Sequence, residues 1–149
     1  MIDKIKHFFT QQLSVDDAND SSETLQLAAA TLLIELSKAD YKRDPEEQQA
    51  IKTALNKCFD LDQKQLNAVM ELAEQRSNSA TSLYPFTSLI SDHYSPEQRF
   101  ELVKMLWQVA IADGEISKYE DHLIRRIADL IHVSHSDFIR AKLAVLDEQ

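Results

Sequence analysis

A single glycine, Gly114, and three prolines leave this 149-residue chain almost no material for tight hairpins, which a many-stranded sheet needs at its strand ends. The lone cysteine, Cys58, excludes an intramolecular disulfide and cannot build a thiolate zinc cluster by itself. It falls on an apolar helical stripe, where a thiol is a small buried hydrophobe rather than a nucleophile. Nowhere do about 18 apolar residues run together, so no transmembrane segment is expected. The opening Met1 to Phe9 stretch is broken by Asp3, Lys4, Lys6 and His7 and has no small-residue cleavage site, so it does not read as a secretory signal. A reducing, cytoplasmic location is the expectation. There is no run of basic residues, and the net charge of −9 repels phosphate backbones and anionic lipid, so no nucleic-acid partner is expected. Cations and basic proteins fit better, with any membrane association peripheral and through a protein partner. No Gly-rich phosphate loop, Walker-type lysine or Ser-His-Asp order can be assembled, which argues against hydrolase or nucleotide chemistry, and no enzyme is expected.

What the chain has in abundance is Ala, Leu, Ile, Glu, Gln and Lys, all compatible with helix. Its length suits one domain that buries roughly two-thirds of its unfolded surface. The fold class is therefore all-α, a single-domain bundle of about seven to eight helices. Ile2, Ile5, Phe8, Phe9 and Leu13 share one helical face, and the polar run from Ser14 to Ser21 reads as a linker. Residues 1–21 are thus an appended amphipathic helix with its linker, and 22–149 the domain proper.

Start signals divide that domain. Asp44, Pro45, Glu46 and Glu47 supply an N-cap, a proline at the first helical position and a carboxylate three residues after the cap. Asp62 with Gln65, Ser95 with Pro96 and Gln98, Ser117 with Glu120, and Ser134 with Asp137 announce four further helices. Ser82 and Pro85 introduce a short one, and the helix from Asp62 is expected to fade near Arg76 into the polar stretch 77–81. Two segments are strongly apolar, and the first of them should be central. One starts at Ser22 and carries Leu25, Ala28, Ala29, Leu32, Leu33, Leu36 and Ala39; the other starts at Ser95 and carries Phe100, Val103, Leu106, Trp107, Val109, Ala110 and Ala112.

A constant offset of 73 residues pairs these halves. It sets Ser22 on Ser95, Leu33 on Leu106, Ala39 on Ala112, Asp40 on Asp113, Asp44 on Ser117, Glu47 on Glu120 and Ile51 on Ile124. Two related units, about 22–76 and 95–149, are expected to pack as a pseudo-symmetric pair.

These positions resemble the TerB family of bacterial tellurite-resistance proteins and the related TerB-like domains, one of which lies in the membrane-bound co-chaperone DjlA. The resemblance covers about Ser22 to Leu143. It is carried by Ala28-Ala29-Ala30-Thr31-Leu32-Leu33 with Lys38-Ala39-Asp40, by Leu106-Trp107-Gln108-Val109-Ala110-Ile111-Ala112-Asp113-Gly114-Glu115-Ile116, and by Glu120 with Leu123-Ile124-Arg125-Arg126. It implies a helical bundle without established enzymatic activity, acting in a tellurite or stress response. It further implies an acidic divalent-cation site matched here by Asp40, Glu47, Asp113 and Glu120, with Glu115 nearby. The first unit departs from the pattern, because Tyr41-Lys42-Arg43 stands where the second has Gly114-Glu115-Ile116.

The acidic residues also have a plainer reading. Glu47 and Glu120 sit three residues after N-caps, where a carboxylate stabilises a helix start by capping and by the macrodipole. The run from Asp113 to Glu120 matches the second half of an EF-hand loop, yet loop positions one and three fall on Val109 and Ile111, which offer no side-chain oxygen. His122, His132 and His135 read as solvated or capping residues, and a di-iron bundle would need two Glu-x-x-His motifs on separate helices, where the nearest match is the single Asp129-Leu130-Ile131-His132. Trp107, Phe100 and Met105 read as core. A non-enzymatic cation-binding module and a protein-interaction scaffold with purely structural carboxylates therefore stand as the two readings.

Overall fold

The computed structural model describes residues 22–39, 45–59, 61–79, 82–112 and 114–147. Among these residues it contains seven α-helices: α1 (Ser22–Ser37), α2 (Pro45–Phe59), α3 (Gln63–Ser79), α4 (Tyr84–His93), α5 (Pro96–Ala110), α6 (Lys118–Leu130) and α7 (His135–Asp147). The chain is an all-α bundle. The amphipathic helix expected over Met1 to Leu13 lies outside the described residues, and so does Asp44, expected to cap α2.

Two helices are central, and the more apolar of them, α1, can satisfy its burial only by being surrounded. In α1, Leu27 to Ile34 is a continuous buried run, and Leu36 follows it. This helix packs on α2, α3, α4, α5 and α6. In α5, Leu102, Val103, Met105, Leu106, Trp107, Val109 and Ala110 are buried, and the helix packs on α1, α2, α6 and α7. Within the first unit the strongest packing is α1 on α3, and within the second it is α5 on α7. The units also cross: α2 lies against α5, and α6 against α1. Trp107, fully buried, meets Phe138 of α7 with ring centroids 5.2 Å apart and a tilt of 52°. The Lys142 ammonium and the Arg125 guanidinium close this pair from outside, 5.0 Å from the Trp107 ring and 4.9 Å from the Phe138 ring.

The start signals at Asp62, Ser95, Ser117 and Ser134 act as read. Asp62 and Gln65 bond reciprocally, the Gln65 N–H donating to Asp62 Oδ1 at 2.8 Å and the Asp62 N–H to Gln65 Oε1 at 3.0 Å. Ser95 and Gln98 form a complete capping box with Pro96 behind the cap, and the Asp137 N–H donates to Ser134 Oγ at 3.1 Å.

Two local expectations are corrected, and the buried face of the last helix is now assigned. Helix α3 runs on to Ser79 rather than fading at Arg76, because Ser77 is buried against α1 and bonded there. Helix α4 starts one residue before Pro85, with Leu83 in the cap position and no side-chain cap; Ser82 does not serve, and Tyr84 is exposed. In α7 the buried face is Phe138, Ala141 and Val145, while Leu143 is 54% exposed. Spacing alone did not tell which of two adjacent apolar rows faces α5.

Among the described residues no helix is long and apolar enough to cross a membrane.

Candidate functional site

The second unit shows how the chain builds its acidic loop. Helix α5 ends at Ala110, and Ile111 closes it with its N–H on the Trp107 carbonyl at 3.0 Å. The Gly114 N–H then donates to the Ile111 carbonyl at 2.8 Å, and Gly114 takes φ +96°. That backbone is open to glycine and strained for other residues. Nothing lies within 4 Å of where a Cβ would stand, so the requirement is conformational and not one of space. Three residues later Ser117 caps α6: its hydroxyl accepts from the Glu120 N–H at 3.1 Å, and Glu120 Oε1 accepts from the Ser117 N–H at 3.0 Å.

That capping box has an uncommon property. Capping carboxylates are ordinarily solvated at one edge, yet Glu120 is 1% exposed. Oε1 is used by the cap, while Oε2 is buried with no hydrogen-bond partner among the described residues. A buried carboxylate oxygen without a donor costs on the order of 1–3 kcal/mol or more. Glu47, its counterpart by the 73-residue offset, is also fully buried, in the first turn of α2. Glu115 is exposed.

Asp40 and Asp113 lie outside the described residues. Two surface clefts show where their immediate neighbours go. One, of about 580 Å³, is lined by Glu35, Lys38 and Ala39 at the end of α1 and by Lys118, Tyr119, His122 and Leu123 at the start of α6. The other, of about 460 Å³, sets Gln108 and Ala112 from the end of α5 against Glu46, Gln49, Ala50, Thr53, Ala54 and Lys57 of α2. Each apolar helix therefore ends beside the first turn of the other unit's acidic helix: Ala39, one residue before Asp40, by the start of α6, and Ala112, one residue before Asp113, by the start of α2. Among the described residues themselves, no three His, Cys, Asp or Glu side chains group so as to hold a metal ion.

The lysines near the first cleft are engaged. Lys38 Nζ donates to Ser77 Oγ and to Asn78 Oδ1, both at 2.7 Å, and lies 3.8 Å from Glu74. Lys118 lies over the Tyr119 ring at 5.4 Å. Ser77 also donates to Glu35 Oε1 at 2.7 Å. This Glu35–Ser77–Lys38 relay joins α1 to α3 beside the loop of the first unit, and sequence reading missed it. The only hint was a serine at a helical period from the buried Ala73.

The remaining candidates fall where the plainer readings put them. Val109 is buried inside α5 and Ile111 is its C-cap, so the first half of an EF-hand loop is absent. His122, His132 and His135 are exposed. His132 adopts φ 64° just past α6, where its N–H donates to the Asp129 carbonyl at 3.1 Å and the next N–H, from Val133, donates to Ala128 at 2.9 Å. That is a Schellman helix stop with histidine in the left-handed position. Phe100 is part-buried, and Trp107 and Met105 are core. The Cys58 side chain is not among those described.

No curated protein and no solved structure shows significant similarity to the chain. The family model described as "Tellurite resistance protein TerB" matches residues 26–143, a span that begins inside α1, ends inside α7 and takes in both acidic loops. An all-α bundle whose two long apolar helices each end beside the first turn of the other unit's acidic helix, matched over most of its length by that model, belongs to the TerB family.

Proposed function

We propose that this chain is a non-enzymatic TerB-like module that binds a divalent cation through Asp40, Glu47, Asp113 and Glu120, with Glu115 at the rim, and works in a tellurite or stress-response assembly. The observation that carries the reading is Glu120 Oε2, a buried carboxylate oxygen with no hydrogen-bond donor among the described residues. A cation supplies what that oxygen lacks. The crossed arrangement of the clefts adds support, because it brings Ala39 to the first turn of α6 and Ala112 to the first turn of α2. Carboxylates drawn together this way repel one another by roughly 1 kcal/mol per pair at 4 Å in water, and more when dehydrated. An oxygen-rich site of this kind suits a hard ion such as calcium, magnesium or manganese.

The second reading is an interaction scaffold whose carboxylates serve the helix starts alone. The completeness of the Ser117–Glu120 box favours it.

Thermal melts of chelator-treated protein against calcium, magnesium, manganese and zinc separate the two. A ligand at one hundred times its dissociation constant stabilises the fold by about 2.7 kcal/mol, a visible rise in Tm. The cation reading is abandoned if no ion raises Tm, or if Asp113→Asn with Glu120→Gln leaves the rise intact.

A further inference from the structure

Away from the acidic loops, α1, α2 and α5 enclose a groove of about 360 Å³. Its wall is apolar, made by Leu25, Phe59, Tyr94, Leu102 and Met105, and Glu97 and Glu101 stand at its rim. We propose that this groove is the seat of the chain's own N-terminal segment, Met1 to Leu13, docked in cis as an amphipathic helix.

Three observations select this occupant. The first is chemical match. At 100° per residue, Ile2, Ile5, Phe9 and Leu13 fall on one face, with Phe8 beside it. Such a face fits a Leu, Phe and Met wall, where the thioether adapts to an incoming ring. The second is charge. The protein is strongly acidic overall, but Lys4 and Lys6 outnumber Asp3 in this segment. On that helical projection Lys6 borders the apolar face, and its charge complements Glu97 and Glu101 in the groove's lining. A second copy of the chain, with net charge −9, approaches the same rim against repulsion.

The third is the tether. Leu25 is the fourth residue of α1 and lines the groove. The residues Ser14 to Ser21 separate the segment from α1, and eight residues reach roughly 28 Å. A 13-residue helix is about 20 Å long, so this linker allows it to lie in the groove in either direction. A short linker also holds its cargo at millimolar effective concentration, so docking in cis needs only a weak intrinsic affinity.

The test is NMR on the full-length protein. Nuclear Overhauser contacts are expected between the Phe9 ring and the methyls of Leu102 and Met105. They should be unchanged over a hundredfold range of concentration in which sedimentation reports a monomer. In the full-length Ile5→Glu, Phe9→Glu variant the contacts should vanish, and a synthetic Met1 to Leu13 peptide should bind this emptied groove at least tenfold more tightly than it binds the unaltered protein. Glu97→Lys with Glu101→Lys should weaken that peptide binding, and a Lys6→Glu peptide should recover part of it. The proposal is overturned if the unaltered protein shows no such contacts, or if both proteins bind the peptide equally. It is also overturned if the contacts grow with concentration alongside a dimer, which makes a second copy the occupant.

Discussion

Lys38 Nζ and Ser77 Oγ lie 2.7 Å apart, and the same hydroxyl donates its proton to Glu35 at 2.7 Å. Two side chains at the end of α1, Glu35 and Lys38, thus share one serine of α3, and the end of α1 is pinned to the end of α3 just before the chain enters the first acidic loop. Ser77→Ala removes an acceptor from a cation and a donor from an anion. Ser77 is buried while Lys38 is only part-buried, so the cost is expected at about 1–2 kcal/mol. Urea denaturation checks it, and a cycle with Lys38→Met should show a coupling of about 0.5–1.5 kcal/mol.

The two uses of Glu120 separate by substitution. Glutamine keeps an oxygen to accept from the Ser117 N–H but removes the charge. Glu120→Gln is therefore expected to stay within about 0.5 kcal/mol of the parent in metal-free buffer, while Ser117→Ala, which strikes the cap, costs about 1 kcal/mol. The ion-dependent rise in Tm should show the reverse order, lost in Glu120→Gln and largely kept in Ser117→Ala.

At Gly114 the φ of +96° makes any side chain unwelcome even though the space is empty. Gly114→Ala should destabilise by about 1–2 kcal/mol. Equal stability of the two proteins by urea denaturation would show that the loop relaxes without cost.

His132 has the opposite sign. It occupies the left-handed position of a helix stop where glycine is the ordinary residue, and it is exposed. Relief of backbone strain outweighs the extra freedom glycine gives the unfolded chain. His132→Gly is expected to raise stability by about 0.5–1 kcal/mol, measured by the same denaturation curve.

Much of this molecule is written in local sequence. The helix class follows from composition, the start of α2 from Pro45, and the starts of α3, α5, α6 and α7 from short cap patterns around Asp62, Ser95, Ser117 and Ser134. Each of these depends on side chains reaching backbone groups two or three residues away. The centrality of α1 was legible too, because a helix apolar on nearly every side has only one stable place. The family could also be read, since Ala112-Asp113-Gly114-Glu115-Ile116 is contiguous.

Other features depend on partners distant in the chain. No local pattern distinguishes a capping glutamate in solvent from one sealed under a bundle, yet that burial of Glu120 makes it a candidate ligand. Ser77 reads as the beginning of a polar linker until Glu35 and Lys38 are beside it, some 40 residues away in sequence. The choice between Phe138, Ala141 and Val145 and the row containing Leu143 belongs to α5, which receives that face. Sequence by itself determined the helices and the caps at Asp62, Ser95, Ser117 and Ser134, because these are set by contacts within a turn or two. Only the tertiary structure decided which carboxylate is dehydrated, which serine is bonded and which clefts join the two units, because burial is a property of what the rest of the chain brings alongside.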